Sequence, residues 1–530
     1  MFSDSFPIRL RGREKAVARF RVVSAVGLLC VLSINAFLWE KHSHHPRVWR
    51  PGELPVAFWA WQSRAPKQTD VDAAIRQAGG SELFLRAGQI DVEGGRPLRI
   101  RPVAGAMPKN IKLYLVYNAT RDFLAGFANL KPVEVAEAVA GAYASDARRA
   151  VVDGTTLEGA QLDFDVPTRL LTAYARLLVL VRERLPAEAT LSITGLPAWM
   201  ASQSLNDALS RVDFWIPQCY GASIPKRVAK REPIASPKLV AEAVARARQL
   251  GRPFYAGLAA YGYAIHYSRD GSLLALRGDL NPEAVASTPA LQLVRQDTFG
   301  DEGAVRSQQA APSDLRQVYR AQGDCVIEGT AVRAEEWIVL EVPTSASFRE
   351  CAFAAREQGG ELLLGLCVFR LPSADDPTTL STNEVSCALA DLDPGFSFNL
   401  QALELPQTSH VQITVENDGS VSSAVGQSAM MLMTKVPSGT VRAVRLAGFQ
   451  SYEAVVDAAN DAHQGVSSLR RANTLNFKKS WWRPGARASV EIEFVGEPPV
   501  SIWAECRVVS DDGREFSETR TAQINRGGEQ

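Results

Sequence analysis

Gly159-Ala-Gln-Leu-Asp163-Phe-Asp165-Val-Pro167 is the stretch of this chain that says most about its fold and its chemistry. Polar and apolar side chains alternate in it, with Gln161, Asp163 and Asp165 between Ala160, Leu162 and Phe164. An alternation of period two is typical of a β-strand, whose successive side chains point to opposite faces. Two carboxyl groups on one face of a buried strand are costly to ionise together, which indicates acid–base chemistry or a bound cation. A solvated edge strand, or a helix N-cap at Asp165, is the alternative interpretation.

Short apolar runs of this kind recur between residues 54 and 372, and helical patterns of period 3.6 separate most of them. The runs cover residues 56–61, 83–86, 112–117, 160–165, 190–194, 212–217, 254–258 and 362–369. Eight alternating units predict an α/β fold, a (β/α)8 TIM barrel over 54–372. A doubly wound parallel sheet is the runner-up, but no glycine-rich nucleotide turn follows the first run. We expect an irregular insertion at 262–335, with an extra strand at 338–342.

The character of the sequence changes after the eighth run. Proline, serine, threonine and aspartate cluster at 373–383, which predicts a linker. Strand patterns dominate 384–530, and Asn417-Asp-Gly419 and Asp511-Asp-Gly513 are tight-turn signals between them. We therefore expect an Ig-like β-sandwich at 384–530, separable from the barrel and without a catalytic role.

The N-terminus predicts a membrane anchor. Residues 22–39 are uncharged and mostly apolar, and six basic residues precede them: Arg9, Arg11, Arg13, Lys15, Arg19 and Arg21. No small-residue cleavage site follows. This pattern predicts a basic cytoplasmic segment at 1–21 and a transmembrane signal anchor at 22–39. The rest of the chain would then lie in the periplasm or otherwise outside the cytoplasm, held at a bacterial inner membrane by a single pass; a buried hydrophobic helix is the alternative.

Composition excludes several classes of function. Lysine plus arginine equals aspartate plus glutamate at 58 each, so no net field attracts a nucleic acid. Beyond the anchor region only His266, His410 and His463 remain, and the six later cysteines are widely spaced. We therefore expect neither a metal nor another cofactor, which argues against a metal-dependent polysaccharide deacetylase. No G-x-S-x-G turn of a serine hydrolase occurs.

The candidate site follows from the barrel prediction, because TIM-barrel active sites lie at the carboxyl ends of the strands. The residues placed there are Trp61 after the first run, Tyr117 and Asn118 after the third, Gln161, Asp163 and Asp165 in the fourth, Gln218 and Tyr220 after the sixth, and Phe369 and Arg370 after the eighth. Carboxylates ringed by aromatic rings suit a polysaccharide or oligosaccharide, since rings stack on sugars and carboxyl groups handle the proton of the leaving oxygen. Core packing is the alternative for each aromatic residue.

These strand motifs resemble the glycoside hydrolase family 18 barrel of chitinase-like enzymes. Its fourth-strand pattern, D-G-x-D-x-D-x-E-x-P, aligns Gly159 and Pro167 with its glycine and proline, and Asp165 with the catalytic glutamate. Its sixth-strand pattern, V-D-x-x-x-x-M-x-Y, is similar to the stretch from Val212 to Tyr220, with glutamine in place of methionine. Phe369 stands where the family places a tryptophan under the sugar.

The chain also looks like the DUF3142 family of uncharacterised bacterial proteins, on the segments 161–165, 191–196 and 369–372. The resemblances imply a membrane-anchored glycoside-hydrolase-like protein acting on an envelope or extracellular polysaccharide. In this hypothesis Asp165 is the acid, Asp163 raises its pKa, and Tyr220 and Gln218 hold the substrate. A catalytically inactive glycan-binding or scaffold protein of the envelope is the alternative. A nucleotide-sugar glycosyltransferase using Asp163-Phe-Asp165 is disfavoured, because nucleotide sugars are not expected outside the cytoplasm.

Overall fold

Eight parallel strands close into a barrel, in what is a computed structural model of the chain. In chain order they are β1 Val56–Ala60, β2 Gly80–Glu93, β3 Lys112–Ala119, β4 Leu157–Asp163, β5 Thr190–Gly195, β6 Phe214–Pro217, β7 Phe254–Ala259 and β8 Leu363–Phe369. Closure occurs at β1, where Trp59 lies opposite Phe369 of β8 on one side and Phe84 of β2 on the other. Each predicted run overlaps one of these strands, so the barrel prediction is confirmed and an open doubly wound sheet is excluded.

The structure describes residues 47–526 except 63, 222, 299–313, 406–407, 427–428, 458–462, 466–467 and 511–512. The predicted anchor at 22–39 and the basic segment at 1–21 lie outside the described residues. Within the described part of the chain, no helix is both long enough and apolar enough to cross a bilayer.

Helices surround the barrel. They are α1 Gln68–Ala78, α2 Arg121–Gly126, α3 Pro132–Asp153, α4 Leu171–Arg182, α5 Leu205–Leu209, α6 Pro237–Gln249, α7 Pro282–Ser287 in the insertion, α8 Ser345–Gly359 and α9 Thr382–Leu389. No helix connects β2 to β3. Instead β2 runs on into an antiparallel hairpin with the strand Arg96–Ile100, closed by Gly94 and Gly95, whose φ values of 57° and 79° suit a tight two-residue turn.

The alternation of side chains along the strands divides the barrel's apolar residues into two cores. Inward-facing side chains fill the lumen, among them Ala57, Trp59, Phe84, Tyr114, Val116, Phe214, Ile216, Tyr255 and Cys367. Outward-facing ones, such as Phe58 and Leu85, pack beneath the helices in a larger core. A polar residue therefore reaches the lumen if it occupies an inward-facing position of its strand, and is buried under the helices if it occupies an outward-facing one.

The insertion between β7 and α8 is more regular than predicted. It forms a five-stranded antiparallel sheet in the spatial order Leu273–Arg277, Tyr263–Tyr267, Trp337–Val342, Leu315–Ala321 and Leu291–Thr298. The extra strand expected at 338–342 lies at its centre. The sheet forms because buried residues such as Ala264, Leu315 and Ile338 supply a core, which Val425 and Trp481 of the C-terminal domain complete.

The segment predicted as a linker, 373–383, is a packed loop instead. Thr378, Thr379 and Leu380 are buried, and the capping box of Ser381 and Glu384 then starts α9. Helix α9 buries its apolar side chains in the barrel's outer core, so the helical layer continues to Leu389, past residue 372. Polar turn residues are typical of linkers and of packed loops alike, which is why composition did not separate the two.

The C-terminal domain is rich in β-strands, as predicted. One sheet contains Val441–Ala447, Arg487–Phe494, His410–Asn417 and Phe398–Glu404, and the other contains Ser501–Val509, Met430–Lys435, Thr474–Lys479, Ser451–Asp457 and His463–Gly465. The strand Glu515–Arg526 joins both sheets. Ile413 and Val490 of one sheet share a core with Leu432 and Ile502 of the other.

Several contacts connect this domain to the barrel and its insertion, among them Lys479 Nζ, which lies 2.6 Å from Glu283 Oε1, and an arginine. The side chain of Arg483 donates from Nη1 to the carbonyl oxygen of Asp376 at 3.2 Å, and from Nη2 to that of Thr379. Burial lowers the pKa of Arg483.

Candidate functional site

A cavity of about 190 Å³ opens at the carboxyl ends of the barrel strands. Six of the predicted site residues line it, namely Trp61, Asp163, Asp165, Gln218, Tyr220 and Phe369. Six further residues complete the wall: Trp59, Thr194, Ile216, Gly257, Tyr261 and Cys367. The strand-end argument therefore brings most of the predicted residues into one concave site, where small-molecule and glycan sites usually form.

The two carboxyl groups stand at different depths. Asp163 is the last residue of β4 and only 8% exposed, and it accepts a hydrogen bond of 2.6 Å from Thr194 Oγ1. Asp165 lies two residues beyond the strand end and is exposed at the cavity mouth. The strand is thus shorter than predicted, because the chain turns at Phe164, whose carbonyl oxygen accepts from Val166 N at 2.7 Å.

Gly159 explains why this strand fits where it does. A Cβ atom at this position would lie 2.2 Å from the carbonyl oxygen of Thr190 on β5. Any side chain would therefore push β4 and β5 apart at their base. The close approach keeps Asp163 within hydrogen-bonding distance of Thr194 on the neighbouring strand.

Burial changes the acidity of both carboxyl groups. It raises the pKa of Asp163 to about 6, against the hydrogen bond from Thr194 and the positive charge of Arg86, which both favour the ionised form. Asp165, though exposed to the cavity, is crowded by protein atoms at the barrel mouth; this desolvation, followed by the negative charge of Asp163, raises its pKa to about 7. A carboxylic acid that holds its proton near neutral pH is suited to general acid catalysis.

Gln161 does not reach the cavity. It is fully buried, accepts a hydrogen bond of 2.9 Å from Trp59 Nε1, and donates one of 3.2 Å to Ser192 Oγ. The prediction that it binds substrate is therefore corrected: it fixes the indole of Trp59 from below.

A continuous aromatic surface forms one wall of the cavity. Trp59 stacks on Trp61 with ring centroids 5.4 Å apart and packs on Phe369 at 4.9 Å. Tyr220 stacks on the other side of Phe369 at 5.6 Å, and Tyr261 meets it edge-on at 5.1 Å. The peptide bond that follows Phe369 is cis. Rings that pack on each other and also face an open cavity offer the flat apolar surface that a sugar ring needs.

The hydroxyl of Tyr220 remains protonated at any physiological pH. Burial raises its pKa well above the usual value. It can therefore donate a hydrogen bond to a ligand beside the carboxyl groups but cannot act as a base.

Besides Gln161, two further predicted residues point away from the cavity, and both assignments as substrate-binding residues are corrected. Tyr117 follows the inward-facing Val116 on β3, so it points under the helices, where its hydroxyl donates to Asp146 Oδ2 at 2.9 Å. Arg370 turns away from the cavity: its Nε lies 2.7 Å from Asp376 Oδ2, and its guanidinium lies 5.7 Å from the ring centre of Tyr261. It supports Tyr261 from behind.

Asn118 and Arg86 form a pair beside the cavity. Asn118 is 5% exposed and accepts a hydrogen bond of 3.1 Å from Arg86 Nε. Arg86 was not predicted to be functional, although a charged residue ending an apolar run was the available signal. Thr194 and Trp59 were also missed. Their positions in the cavity wall can be predicted from the alternation of side chains once it is known which residues of each strand face the lumen.

The described residues contain no group of three or more histidine, cysteine, aspartate or glutamate side chains placed to hold a metal ion. All six cysteines after Cys30 are free thiols.

Residues 129–286 match the family model described as a domain of unknown function, DUF3142. The family predicted from the motifs is confirmed over these residues. They include the carboxyl groups of β4 and the end of β6, but not Phe369. No curated protein matches the sequence.

Solved structures similar to this chain are distant in sequence. The spore cortex-lytic enzyme SleL of Bacillus cereus is 15% identical, with a TM-score of 0.41 over 64% of this chain and 74% of its own. A chitinase from Chromobacterium violaceum is 14% identical, with a TM-score of 0.41 over 64% and 99%. A glycoside hydrolase family 18 N-acetylglucosaminidase from Paenibacillus barengoltzii is 12% identical, with a TM-score of 0.38 over 64% and 99%. The pairing of its strands alone establishes the barrel.

Proposed function

We propose that this protein is a glycoside hydrolase that acts on an envelope or extracellular polysaccharide. The observation that carries the proposal is the pair of carboxyl groups, Asp163 and Asp165, with raised pKa values against an aromatic wall. A sugar ring on Trp61 and Phe369 would bring a glycosidic bond to the cavity mouth, where Asp165 is exposed.

In this proposal Asp165 protonates the glycosidic oxygen, and the bond between that oxygen and the anomeric carbon breaks. The ionised Asp163 stabilises the positive charge that develops on the anomeric carbon. Water then supplies its oxygen to that carbon and returns a proton to the Asp165 carboxylate, which restores the enzyme. Gln218 and the hydroxyl of Tyr220 hold the substrate's polar groups.

The test is a reducing-end assay of the purified protein on polymers of β-linked glucosamine, N-acetylglucosamine, galactosamine and glucose. Cleavage by the wild type and its loss in Asp165→Asn support the acid assignment. Glu183→Gln changes an exposed carboxylate at the end of α4 and serves as the matched control. Full activity of Asp165→Asn would remove Asp165 from the mechanism.

A non-catalytic glycan-binding protein is the second candidate, and one observation favours it. Asp165 stands where the glycoside hydrolase family 18 pattern has its catalytic glutamate. Its side chain is one methylene shorter, which costs about 1.5 Å of reach. Binding of an oligosaccharide without release of reducing ends, in the wild type and in Asp165→Glu alike, would favour this candidate. Activity gained in Asp165→Glu would instead show that the site is a hydrolase limited by reach.

We also propose that residues 22–39 anchor the protein in the inner membrane and leave the barrel outside the cytoplasm. The six basic residues before this apolar stretch support the orientation. A reporter enzyme that is active only after export, fused at Gln530, should be active. Recovery of a soluble form that begins after residue 39 would contradict the anchor.

A further inference from the structure

A group of cations lies on the side of β1 and β2, and one of them, Arg86, contacts Trp61 of the cavity wall. Its members are Arg64, Arg86, Arg101 and Lys109, called the basic rim below. No carboxylate of the described residues lies within 4.0 Å of their charged groups. The chain as a whole has equal numbers of acidic and basic residues, 58 of each, so this local excess of positive charge does not follow from composition.

Arg86 is held in a fixed orientation. Its Nε donates to Asn118 Oδ1 at 3.1 Å and its Nη1 to the carbonyl oxygen of Trp61 at 3.2 Å. Its guanidinium lies 4.7 Å from the ring centre of Trp61, in cation–π contact. These bonds use Nε and Nη1, so Nη2 is left for a ligand beside the ring on which a sugar would stack.

Arg101 adds a second charge next to the first. Burial and then the positive charge of Arg101 lower the pKa of Arg86, and the negative charge of Asp163 acts in the opposite direction. Arg101 itself donates only to the neutral Gln89 Oε1, at 3.2 Å. Repulsion between the two guanidinium groups remains beside the attraction of Arg86 to Asp163, and an anionic ligand would relieve that repulsion.

The rim continues into a second groove. The segment at Arg64 pairs with Ala104, just after Arg101, and borders a groove of about 440 Å³. Arg64 and Lys109 are the charged residues of its lining, which contains neither aspartate nor glutamate. Positive groups thus extend from the mouth of the main cavity along one flank of the barrel.

We propose that the basic rim binds the anionic groups of an acidic polysaccharide, carboxylate or sulfate, with Arg86 holding the anionic group of the sugar that stacks on Trp61. This inference rests on the proposed glycan site and specifies its substrate class. A guanidinium beside an aromatic ring suits such a sugar, because the ring takes the apolar face and the fork of N–H donors takes the anion.

The test measures binding to the full-length protein carrying Asp165→Asn, so that no substrate is consumed. The probes are oligogalacturonate for carboxylate, carrageenan oligosaccharide for sulfate, and chitin and cellulose oligosaccharides as neutral ligands. One anionic probe should bind about tenfold or more tightly than the neutral ones, and its affinity should fall as salt rises. Preference for the carboxylate or for the sulfate probe assigns the anionic group.

Arg86→Gln should weaken binding of the preferred anionic probe by about 10- to 100-fold and leave neutral ligands nearly unchanged, since a charge-assisted hydrogen bond is lost. Arg86→Lys should restore part of the affinity. Arg211→Gln, which removes an exposed arginine before β6, is the control. Equal affinity for neutral and anionic probes, or an unchanged preference in Arg86→Gln, would overturn the inference.

The outcomes separate this inference from the proposed function. Cleavage of a neutral polymer without any preference for anionic ligands would support the hydrolase proposal and contradict the role of the basic rim. Binding of an anionic probe that depends on Arg86, without cleavage by the wild type, would support the role of the basic rim and contradict the hydrolase proposal.

Discussion

At the scale of single residues, the pair Asp163 and Asp165 determines how the protein should respond to pH. The unfolded-state pKa of aspartate is about 3.9, whereas the folded values are about 6 and about 7. A carboxyl group whose pKa is raised by folding binds its proton more tightly in the folded state. Its favourable contribution is therefore complete below pH 4 and is lost as the pH rises through the folded pKa.

Asp163→Asn should therefore stabilise the barrel at pH 8. An amide keeps the hydrogen bond from Thr194 and removes a buried charge, so the free energy of unfolding should rise by about 1–3 kcal/mol, reduced by the lost attraction between the charges of Asp163 and Arg86. Urea titrations of wild type and variant at pH 8 and pH 4 provide the measurement. The difference should vanish at pH 4; a gain of the same size at both pH values would show that charge is not its cause.

The rate of polysaccharide cleavage should follow the protonated form of Asp165. Above pH 7 the rate should fall about tenfold per pH unit as that group ionises. A pH profile of kcat/KM on the cleaved polymer checks this. A rate that stays constant from pH 6 to pH 9 would assign the acid to another group.

The positions of single site residues were predictable where the sequence showed which side chains of a strand face the lumen, and not where it did not. On β4 the alternation placed Asp163 correctly in the lumen. On β3 the apolar run alone did not reveal which alternate residues face the lumen, and Tyr117 was assigned to the wrong face of the strand. Gln161 has the inward parity but lies too deep to meet a ligand, and depth along a strand is set by the neighbouring strands' register.

At the scale of elements, the base of β4 should tolerate no side chain. Gly159→Ala would place a Cβ atom 2.2 Å from the carbonyl oxygen of Thr190, so the two strands must separate. We expect a loss of about 2–4 kcal/mol in the free energy of unfolding. Gly141→Ala in α3 is the control, because that position has open space, and alanine should gain about 0.5–1 kcal/mol there.

Helix α9 should be required for a folded barrel. A fragment that ends at residue 372 lacks Val385, Ala388 and Leu389, which belong to the outer core, whereas one that ends at residue 395 keeps them. Circular dichroism and proteolysis should show the shorter fragment unfolded and the longer one more protected. A cooperative melt of the shorter fragment would show that the other helices suffice. The eight strands were predictable because each is a local apolar run; the role of 373–389 depends on contacts remote in sequence.

At the scale of the whole molecule, Arg483 couples the β-rich domain to the barrel. It satisfies two carbonyl oxygens of the loop at 376–379, and that loop holds Arg370 behind Tyr261 of the cavity wall. Arg483→Met should destabilise the protein by about 2–4 kcal/mol, because buried carbonyl groups lose their donor. Calorimetry should then show the barrel and the β-rich domain melting further apart. A single unchanged transition would mean that the Lys479–Glu283 ion pair and the core shared through Val425 and Trp481 suffice to couple the two domains.

The hairpin that replaces the second helix has a consequence for how such a protein can diversify. Its turn, Gly94–Gly95, and its strand, Arg96–Ile100, pair with β2 beyond the segment that closes the barrel. Arg101 follows this strand directly. Mutations in the hairpin can therefore alter the charge presented to a ligand while the interlocked centre around Gln161, Asp163 and Thr194 stays as it is. Among related chains we expect differences in ligand preference to arise from substitutions in this hairpin, while the residues of the reaction centre stay the same.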